Sequence, residues 1–202
     1  MMTIKNSAFL SVRDLVVEYT AEGRVIHAVN GISFDLERGK TFGLVGETGA
    51  GKTSTAKAIM RILPDPPAKI RGGEIFLDGA DLLKIKEKEM RKIRGRKVSM
   101  IFQDPMTALN PIMKIGAQVA EVIKMHNNIT WNAANAQAVK MLETVGIPGD
   151  RFEEYPHQFS GGMKQRVVIA IALACSPELL LADEPTTALD VTIQAQVLEM
   201  IA

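Results

Sequence analysis

The sequence of 202 residues has one cysteine, few aromatic residues and almost no net charge. Its only cysteine, Cys175, excludes an intramolecular disulfide, and it gives no sign of an oxidising compartment. The longest apolar run, residues 167–175, ends at this cysteine, so we expect a packed thiol rather than a reactive one. That run is far too short to span a bilayer, and residues 1–6 lack the apolar core of a signal peptide. We therefore expect a soluble, cytosolic protein unless it docks on a partner.

The charges nearly cancel, which argues against a nucleic-acid-binding protein. The chain has 24 Lys and Arg residues against 23 Asp and Glu, a formal net charge of +1. The basic stretch 84–97 has no aromatic residues between its charges, as a base-stacking surface would need, and we interpret it as a solvated helix face. The three histidines form no cluster with the cysteine, so no transition-metal site is predicted. No nucleic-acid partner is expected.

The order of apolar patterns along the chain predicts an α/β fold. An apolar content of 47% is ample for a core. Several alternating strands precede the first helix, which predicts a small antiparallel sheet, and later strands are separated by helices, which predicts a parallel sheet. We expect one domain over residues 1–202, with a helical subdomain inserted at 105–160. The predicted strands are 9–19, 25–29, 32–36, 41–45, 73–77, 98–102 and 179–182, and the predicted helices are 54–63, 84–97, 112–125, 131–145, 160–174 and 191–202.

The most informative stretch, residues 46–53, fits the phosphate-binding pattern G-x-x-x-x-G-K-[ST] (P-loop) without a mismatch. Glycines let the backbone curl so that N–H groups face an anion, and the helix that follows adds the positive end of its dipole. Lys52 can reach the β- and γ-phosphates, and the Thr53 hydroxyl can ligate Mg²⁺. The alternative is a glycine-rich turn that binds nothing, which the flanking strand 41–45 and helix 54–63 disfavour. The candidate nucleotide-binding residues of this loop are Gly46, Glu47, Thr48, Gly49, Ala50, Gly51, Lys52, Thr53 and Ser54.

A second candidate motif follows the apolar strand 179–182, which ends in two carboxylates, Asp183 and Glu184. In P-loop NTPases an acid at the end of a neighbouring strand holds Mg²⁺, and Asp183 fits that position. Glu184 stands where a carboxylate could orient and deprotonate an attacking water. The alternative is a surface turn, because Asp-Glu-Pro is a common turn composition. The pair is weak evidence alone and becomes stronger beside a P-loop.

The segment Ser160-Gly161-Gly162-Met163 closely resembles the L-S-G-G-Q signature of ATP-binding-cassette (ABC) ATPases, with Phe159 in place of Leu and Met163 in place of Gln. The order of motifs over nearly the whole chain is also similar to that family. Three longer segments resemble its oligopeptide/dipeptide importer branch, whose relatives also carry nickel or sugars. These segments are F-Q-D-P-M-T-A-L-N-P at 102–111, H-Q-F-S-G-G-M at 157–163 and D-E-P-T-T-A-L-D at 183–190.

The resemblance implies an ATPase with a P-loop NTPase (RecA-like) core, an N-terminal antiparallel β-subdomain and an inserted α-helical subdomain. ATP and Mg²⁺ are the implied cofactors. The implied catalytic residues are Glu184, Lys52 and Gln103, and the implied metal ligands are Thr53, Gln103 and Asp183. Further implied nucleotide contacts are stacking on adenine by Tyr19, γ-phosphate contacts to a second copy by Ser160, Gly161 and Gly162, and an interface role for Asp190.

The resemblance also implies partners and a location. A second ABC ATPase subunit would complete the nucleotide sites, and transmembrane permease subunits would dock on the inserted helical subdomain at the cytoplasmic face of the membrane. Two alternatives stay open: a soluble ABC ATPase acting in DNA repair or translation, and a nucleotide-binding fragment without catalysis. The residues alone also leave Ser160 open, because Ser-Gly-Gly at a helix start is either an anion site or an ordinary N-cap.

The sequence departs from the family pattern at its end. The family has a further histidine that contacts the γ-phosphate, beyond one more helix and strand after the position of Asp190, whereas all three histidines here precede the signature. We therefore expect a fragment or a truncated product whose sheet lacks a central strand. We also expect this chain alone to hydrolyse ATP poorly or not at all.

Overall fold

The computed structural model describes residues 8–21, 23–186, 194–195 and 198–199. It consists of two compact units, Met1–Arg91 and Lys92–Ala202. Among the described residues, no helix combines the length and the apolar character that crossing a membrane requires. The predicted helix 191–202 and the Ala-Leu-Asp sequence at 188–190 lie almost wholly outside the described residues.

A four-stranded antiparallel sheet dominates the first unit, as the sequence predicts. Its strands are β1 (Ala8–Ala21), β2 (Arg24–Glu37), β3 (Ala68–Leu77) and β4 (Ala80–Asp81), in the order β2-β1-β3-β4. The side chains that alternate onto one face form its core. The fully buried members of this core include Val12, Leu15, Val17 and Ile75.

The two strands predicted at 25–29 and 32–36 form the single strand β2. Between them, Gly31 takes a φ of +74°, and the pairing skips it, because Leu15 faces Ile32 while Val16 faces Asn30. An extra residue of this kind is a β-bulge, which bends a strand without ending it. The division into two strands was therefore wrong at this glycine.

Helix α1 (Lys52–Met60) is shorter than the predicted helix 54–63 and begins earlier. Gly51 precedes it in the left-handed region, and Arg61 ends it with a φ of +51°. The Arg61 guanidinium donates hydrogen bonds to the carbonyls of Leu82 (3.0 Å) and Ile85 (2.8 Å). These tertiary contacts hold the residue that stops the helix, and the local sequence does not reveal them.

The predicted buried strand 41–45 is wrong. These residues form no strand and are exposed, with Val45 at 94%. Phe42 stacks on Phe34 of β2, with ring centroids 4.9 Å apart. A strand needs a neighbour to supply ladder hydrogen bonds, and no described strand pairs with this segment. Apolar composition alone did not make it a strand.

The second unit contains a parallel pair of strands, β5 (Val98–Ile101) and β6 (Leu179–Ala182). Their register joins Val98 to Leu179 and Ile101 to Ala182, so both strands end at the same edge. The parallel pairing was predicted, and β6 has the predicted bounds. Because carboxyl ends of parallel strands lie side by side, residues after 101 and after 182 are brought together.

Helices account for most of the second unit. They are α3 (Pro105–Ala108), α4 (Ile115–His126), α5 (Trp131–Thr144) and α6 (Gly161–Leu173), with 3₁₀ helices at Gly149–Glu153 and Pro156–Gln158. Helix α2 (Glu87–Ile93), at the junction of the units, is shorter than the predicted helix 84–97. The main core of the second unit includes Ile115, Val119, Ala138, Leu142 and Ile169, all fully buried or nearly so. Helix α4 thus buries Ile115 and Val119 in this core.

Candidate functional site

The glycine-rich loop before α1 requires glycine at two positions, because a Cβ atom would not fit at either of them. A Cβ on Gly51 would lie 2.1 Å from the carbonyl oxygen of Ala28 in β2, and its φ is +87°. A Cβ on Gly46 would lie 2.9 Å from the Cβ of Ala50. The loop therefore packs against the backbone of β2 in a conformation that larger residues cannot adopt.

The Lys52 side chain folds back over the loop. Its Nζ donates hydrogen bonds to the carbonyls of Gly46 (2.7 Å) and Glu47 (3.1 Å). A cation therefore lies at the mouth of the loop, beside the first turn of α1. The N–H groups of a first helical turn have no acceptor within the helix and carry the positive end of its dipole. A cleft of about 410 Å³ in this unit is lined by Lys52, Gly49, Ala50 and residues of β2.

The loop also meets the predicted adenine-stacking residue. The Tyr19 hydroxyl, near the end of β1, lies 3.4 Å from the Ser54 Oγ in the first turn of α1. Thr53 lies in that turn as well. Thr55, which the sequence did not single out, is almost fully buried, and its hydroxyl donates to the Gly51 carbonyl (2.9 Å). This hydroxyl ties the loop to α1, and no sequence pattern identifies it.

In the second unit, Gln103, Asp183 and Glu184 lie at the shared edge of β5 and β6. The Asp183 N–H continues the ladder by donating to the Ile101 carbonyl (3.0 Å), and the residue is only 7% exposed. The Gln103 Nε2 donates to the Glu184 Oε2 at 2.7 Å. The parallel ladder brings Gln103 beside the adjacent pair Asp183 and Glu184, which lies far from it in sequence.

A residue that the sequence did not single out holds the backbone next to this group. Gln165 of α6 is 2% exposed, and its Nε2 donates to the Pro185 carbonyl at 2.9 Å. Glu184 itself has a φ of +47°, a left-handed conformation that is uncommon for residues other than glycine. One glutamine therefore holds the side chain of Glu184, and another holds the carbonyl of the residue that follows it.

The predicted signature segment begins α6. Ser160 is the N-cap, and its Oγ accepts a hydrogen bond from the Met163 N–H at 3.3 Å. The N-cap interpretation is thus confirmed, while a phosphate contact stays a prediction. Ser160 and Gly161 are exposed, and a Cβ on Gly161 would meet nothing within 4 Å. Packing against the residues that the structure describes does not require that glycine.

A single arginine, Arg151, contacts several groups in the segment just before Ser160. The Arg151 guanidinium lies 4.3 Å above the Phe159 ring, donates to Glu154 Oε2 (2.9 and 2.6 Å) and reaches the Gln158 carbonyl (3.2 Å). Its Nη1 is 3.2 Å from the Met163 sulfur. Phe159 and Met163, the two departures from the general signature, thus both contact one guanidinium.

Two titratable groups lie away from these sites. The Cys175 thiol is half-buried, with its sulfur 3.7 Å from the Val122 carbonyl, and burial raises its pKa. The pKa of His126 lies below its ordinary value because of burial, to which the nearby Arg96 charge adds. Within the described residues, no group of three or more His, Cys, Asp or Glu could hold a metal ion. The packed-thiol prediction for Cys175 agrees with this environment.

Comparison with known proteins matches residues 29–187 to the family described as ABC transporter. The chain belongs to the ABC transporter family. It is 54% identical over 193 residues to the dipeptide transport ATP-binding protein DppD of Bacillus subtilis (strain 168), covering 95% of this chain and 58% of that protein. To the oligopeptide transport ATP-binding protein OppD of the same organism it is 52% identical over 200 residues, covering 98% and 56%. This ABC family chain therefore spans between half and two-thirds of their length.

A similar solved structure supports the same fold. The ATP-binding cassette MJ0796, in a dimeric post-hydrolysis state bound to ADP and Pi, aligns with a TM-score of 0.85 at 24% identity. The alignment covers 95% of this chain and 81% of that chain. The predicted fold class is therefore confirmed, because this chain, with its antiparallel sheet and its helices, has the fold of ABC cassettes.

Proposed function

We propose that this chain forms the ATP-binding and ATP-hydrolysing part of an ABC importer for peptides or related small solutes. The observation that carries the proposal is the hydrogen bond from Gln103 to Glu184, across 81 residues of sequence, beside the buried Asp183. A candidate base, an amide and a candidate metal ligand thereby meet at one strand edge, as phosphoryl transfer requires. The similar relatives are peptide transport ATP-binding proteins, which favours transport over DNA repair or translation.

The residues present fit ATP and Mg²⁺. The cradle at Gly46 and Gly51 has no room for side chains, and Lys52 places a cation over it. Asp183 and Thr53 offer carboxylate and hydroxyl oxygens, and the Gln103 amide oxygen is not the atom bonded to Glu184. Oxygen donors of this kind are the ligands that Mg²⁺ prefers.

The roles of the residues follow from their chemistry. ATP supplies the γ-phosphoryl group, and Mg²⁺ neutralises charge on it when both are bound. Lys52 would exchange its contacts to the Gly46 and Glu47 carbonyls for phosphate oxygens, which bind a cation more strongly. Glu184 would accept a proton from the attacking water, and Gln103 would hold the Glu184 carboxylate and that water in place. Tyr19 would stack on the adenine.

The remaining predicted site residues enter through a second subunit. Ser160, Gly161 and Gly162 would contact the γ-phosphate bound on the other copy, since an exposed helix start is an anion site. Asp190 would contribute at the same interface. Residues 1–202 would form one ABC ATPase domain, with the helical subdomain 105–160 docked on transmembrane permease subunits at the cytoplasmic face of the membrane.

A thermal melt with and without Mg²⁺-ATP tests this proposal. Binding to the native state stabilises it by mass action, by about 2.7 kcal/mol at a ligand concentration about 100 times the Kd. We expect the midpoint to rise for the 202-residue chain and to stay unchanged for Lys52→Ala. Glu184→Gln should keep the rise and abolish any residual ATP turnover that the chain has, because it removes only the base.

Three results separate the outcomes. An equal rise for Lys52→Ala would show that ATP binds elsewhere and would overturn the site. A midpoint that ATP does not move in the wild-type chain would overturn nucleotide binding. A rise without turnover in the wild-type chain would identify the alternative, a nucleotide-binding chain without catalysis.

A further inference from the structure

Gln165 is a buried polar side chain that the proposed chemistry does not use. It lies in α6 at 2% exposure, and its Nε2 donates to the Pro185 carbonyl at 2.9 Å. A buried amide without a partner is costly, so such a side chain needs a partner in a fixed position. The carbonyl that it contacts is that of Pro185, the residue directly after Glu184.

The position of Pro185 matters because Glu184, the residue before it, is in an unfavourable backbone conformation. Its φ is +47°. A residue with a Cβ keeps this backbone conformation only when surrounding contacts hold it in place. On the preceding side, the Asp183 N–H is held by the Ile101 carbonyl at 3.0 Å. On the following side, the contact from Gln165 completes the restraint.

We propose that Gln165 is a positioning residue that fixes the Glu184 carboxylate against Gln103 by holding the Pro185 carbonyl. The inference rests on the proposed function, in which Glu184 is the base. Gln165 does not touch the reacting atoms. It acts through the backbone, and it also joins the helix capped by Ser160 to the residue that follows the candidate base.

The test observes the Gln103 side-chain amide by ¹⁵N NMR in the 202-residue chain. Glu184→Gln removes the charged acceptor and defines how far the Gln103 resonance moves when the contact changes. Gln165→Met keeps the side-chain length but removes the donor. We expect Gln165→Met to move the Gln103 resonance in the same direction, and the two changes to be non-additive in the double variant.

Gln118 provides a matched control. It is another nearly buried glutamine of the same unit, 7% exposed in α4, and its Nε2 donates to the carbonyls of Asn110 and Met113, both at 3.0 Å. Gln118→Met should destabilise the chain without moving the Gln103 resonance. A Gln103 resonance that stays in place in Gln165→Met, or moves as far in Gln118→Met, overturns the inference.

If Gln165→Met does not fold, a hydrogen-exchange measurement on the wild-type chain tests the inference instead. The Gln165 side-chain amide protons should then exchange with solvent at least about tenfold more slowly than those of the exposed Gln158. Equal exchange overturns the contact. Melts of the same samples with Mg²⁺-ATP test the proposed function separately, because binding depends on the P-loop and not on Gln165.

Discussion

A single histidine gives the protein a predictable response to acid. His126 packs against Gly95, where an added Cβ would lie 2.7 Å from its Nε2, and burial lowers its pKa below the ordinary 6.5. A lowered pKa in the folded state means that the unfolded state binds the proton more readily. The stability from neutral His126 is therefore fully present above pH 6.5 and is lost as the pH falls through the lower, folded-state pKa.

We predict that His126→Gln has a smaller loss of stability on acidification than the wild-type chain. The measurement is the free energy of unfolding in urea between about pH 7 and about pH 5. His157→Gln is the control, since His157 stacks on Tyr155 and is exposed. If His126→Gln and the wild-type chain lose stability in parallel, His126 does not contribute to the acid response.

The positions of Gly51 and Gly161 differ in whether they can accept a larger residue. We predict that Gly51→Ala lowers the free energy of unfolding by about 1–3 kcal/mol or more, from its positive φ and the clash with Ala28, and abolishes stabilisation by ATP. Gly161→Ala, in open space at the start of α6, should leave stability unchanged or raise it by up to about 1 kcal/mol. Chemical denaturation of both variants checks this, and equal effects would contradict the packing of the loop on β2.

At the scale of elements, two helices begin with the same kind of cap. Ser160 caps α6 and Thr130 caps α5, each accepting a backbone hydrogen bond at 3.3 Å. We predict that Ser160→Ala and Thr130→Ala each cost about 1 kcal/mol of stability. Only Ser160→Ala should also weaken ATP-dependent dimerisation, measured by analytical ultracentrifugation with Glu184→Gln to prevent turnover. An equal loss of dimer in Thr130→Ala would show that Ser160 acts only as a helix cap.

The spacing of apolar residues predicted most helices and strands, because the pairing and packing of these elements agree with their local sequence pattern. The strand β6 and the helix α5 were found within one residue of their bounds, since each has an apolar pattern bounded by turn or cap residues. Residues 41–45 failed because a strand is made by its neighbour as much as by its own composition. Helix α1 ended early because Arg61 is held by distant carbonyls.

The candidate site was predictable where motifs carry chemistry. The P-loop residues, Asp183 and Glu184 were chosen from their patterns, and the structure brings Gln103 and Glu184 into contact. Gln165 and Thr55 were not chosen, because their importance lies in hydrogen bonds to backbone atoms that only the folded chain places nearby. Side chains that position other residues do not occur at a fixed spacing in the sequence, so a sequence pattern does not identify them.

At the scale of the whole molecule, charge balance governs solubility. The formal net charge of +1 and the sequence isoelectric point near 7.8 leave little repulsion between copies at neutral pH. We predict that solubility passes through a minimum near that pH and rises on either side. Light scattering of the purified chain across a pH series at constant ionic strength checks this, and a solubility that does not vary would contradict it.

The folded-back Lys52 also has a consequence for the speed of nucleotide capture. Because the loop is already shaped by its packing on β2 and by the Lys52 contacts to its own carbonyls, no segment has to fold before a phosphate arrives. Among the described contacts, those that must change are the two hydrogen bonds of the Lys52 side chain, and side-chain rotamer changes are fast compared with loop motions. Capture at this loop should therefore be set by the rate of diffusional encounter, and slower steps must arise elsewhere in the cycle.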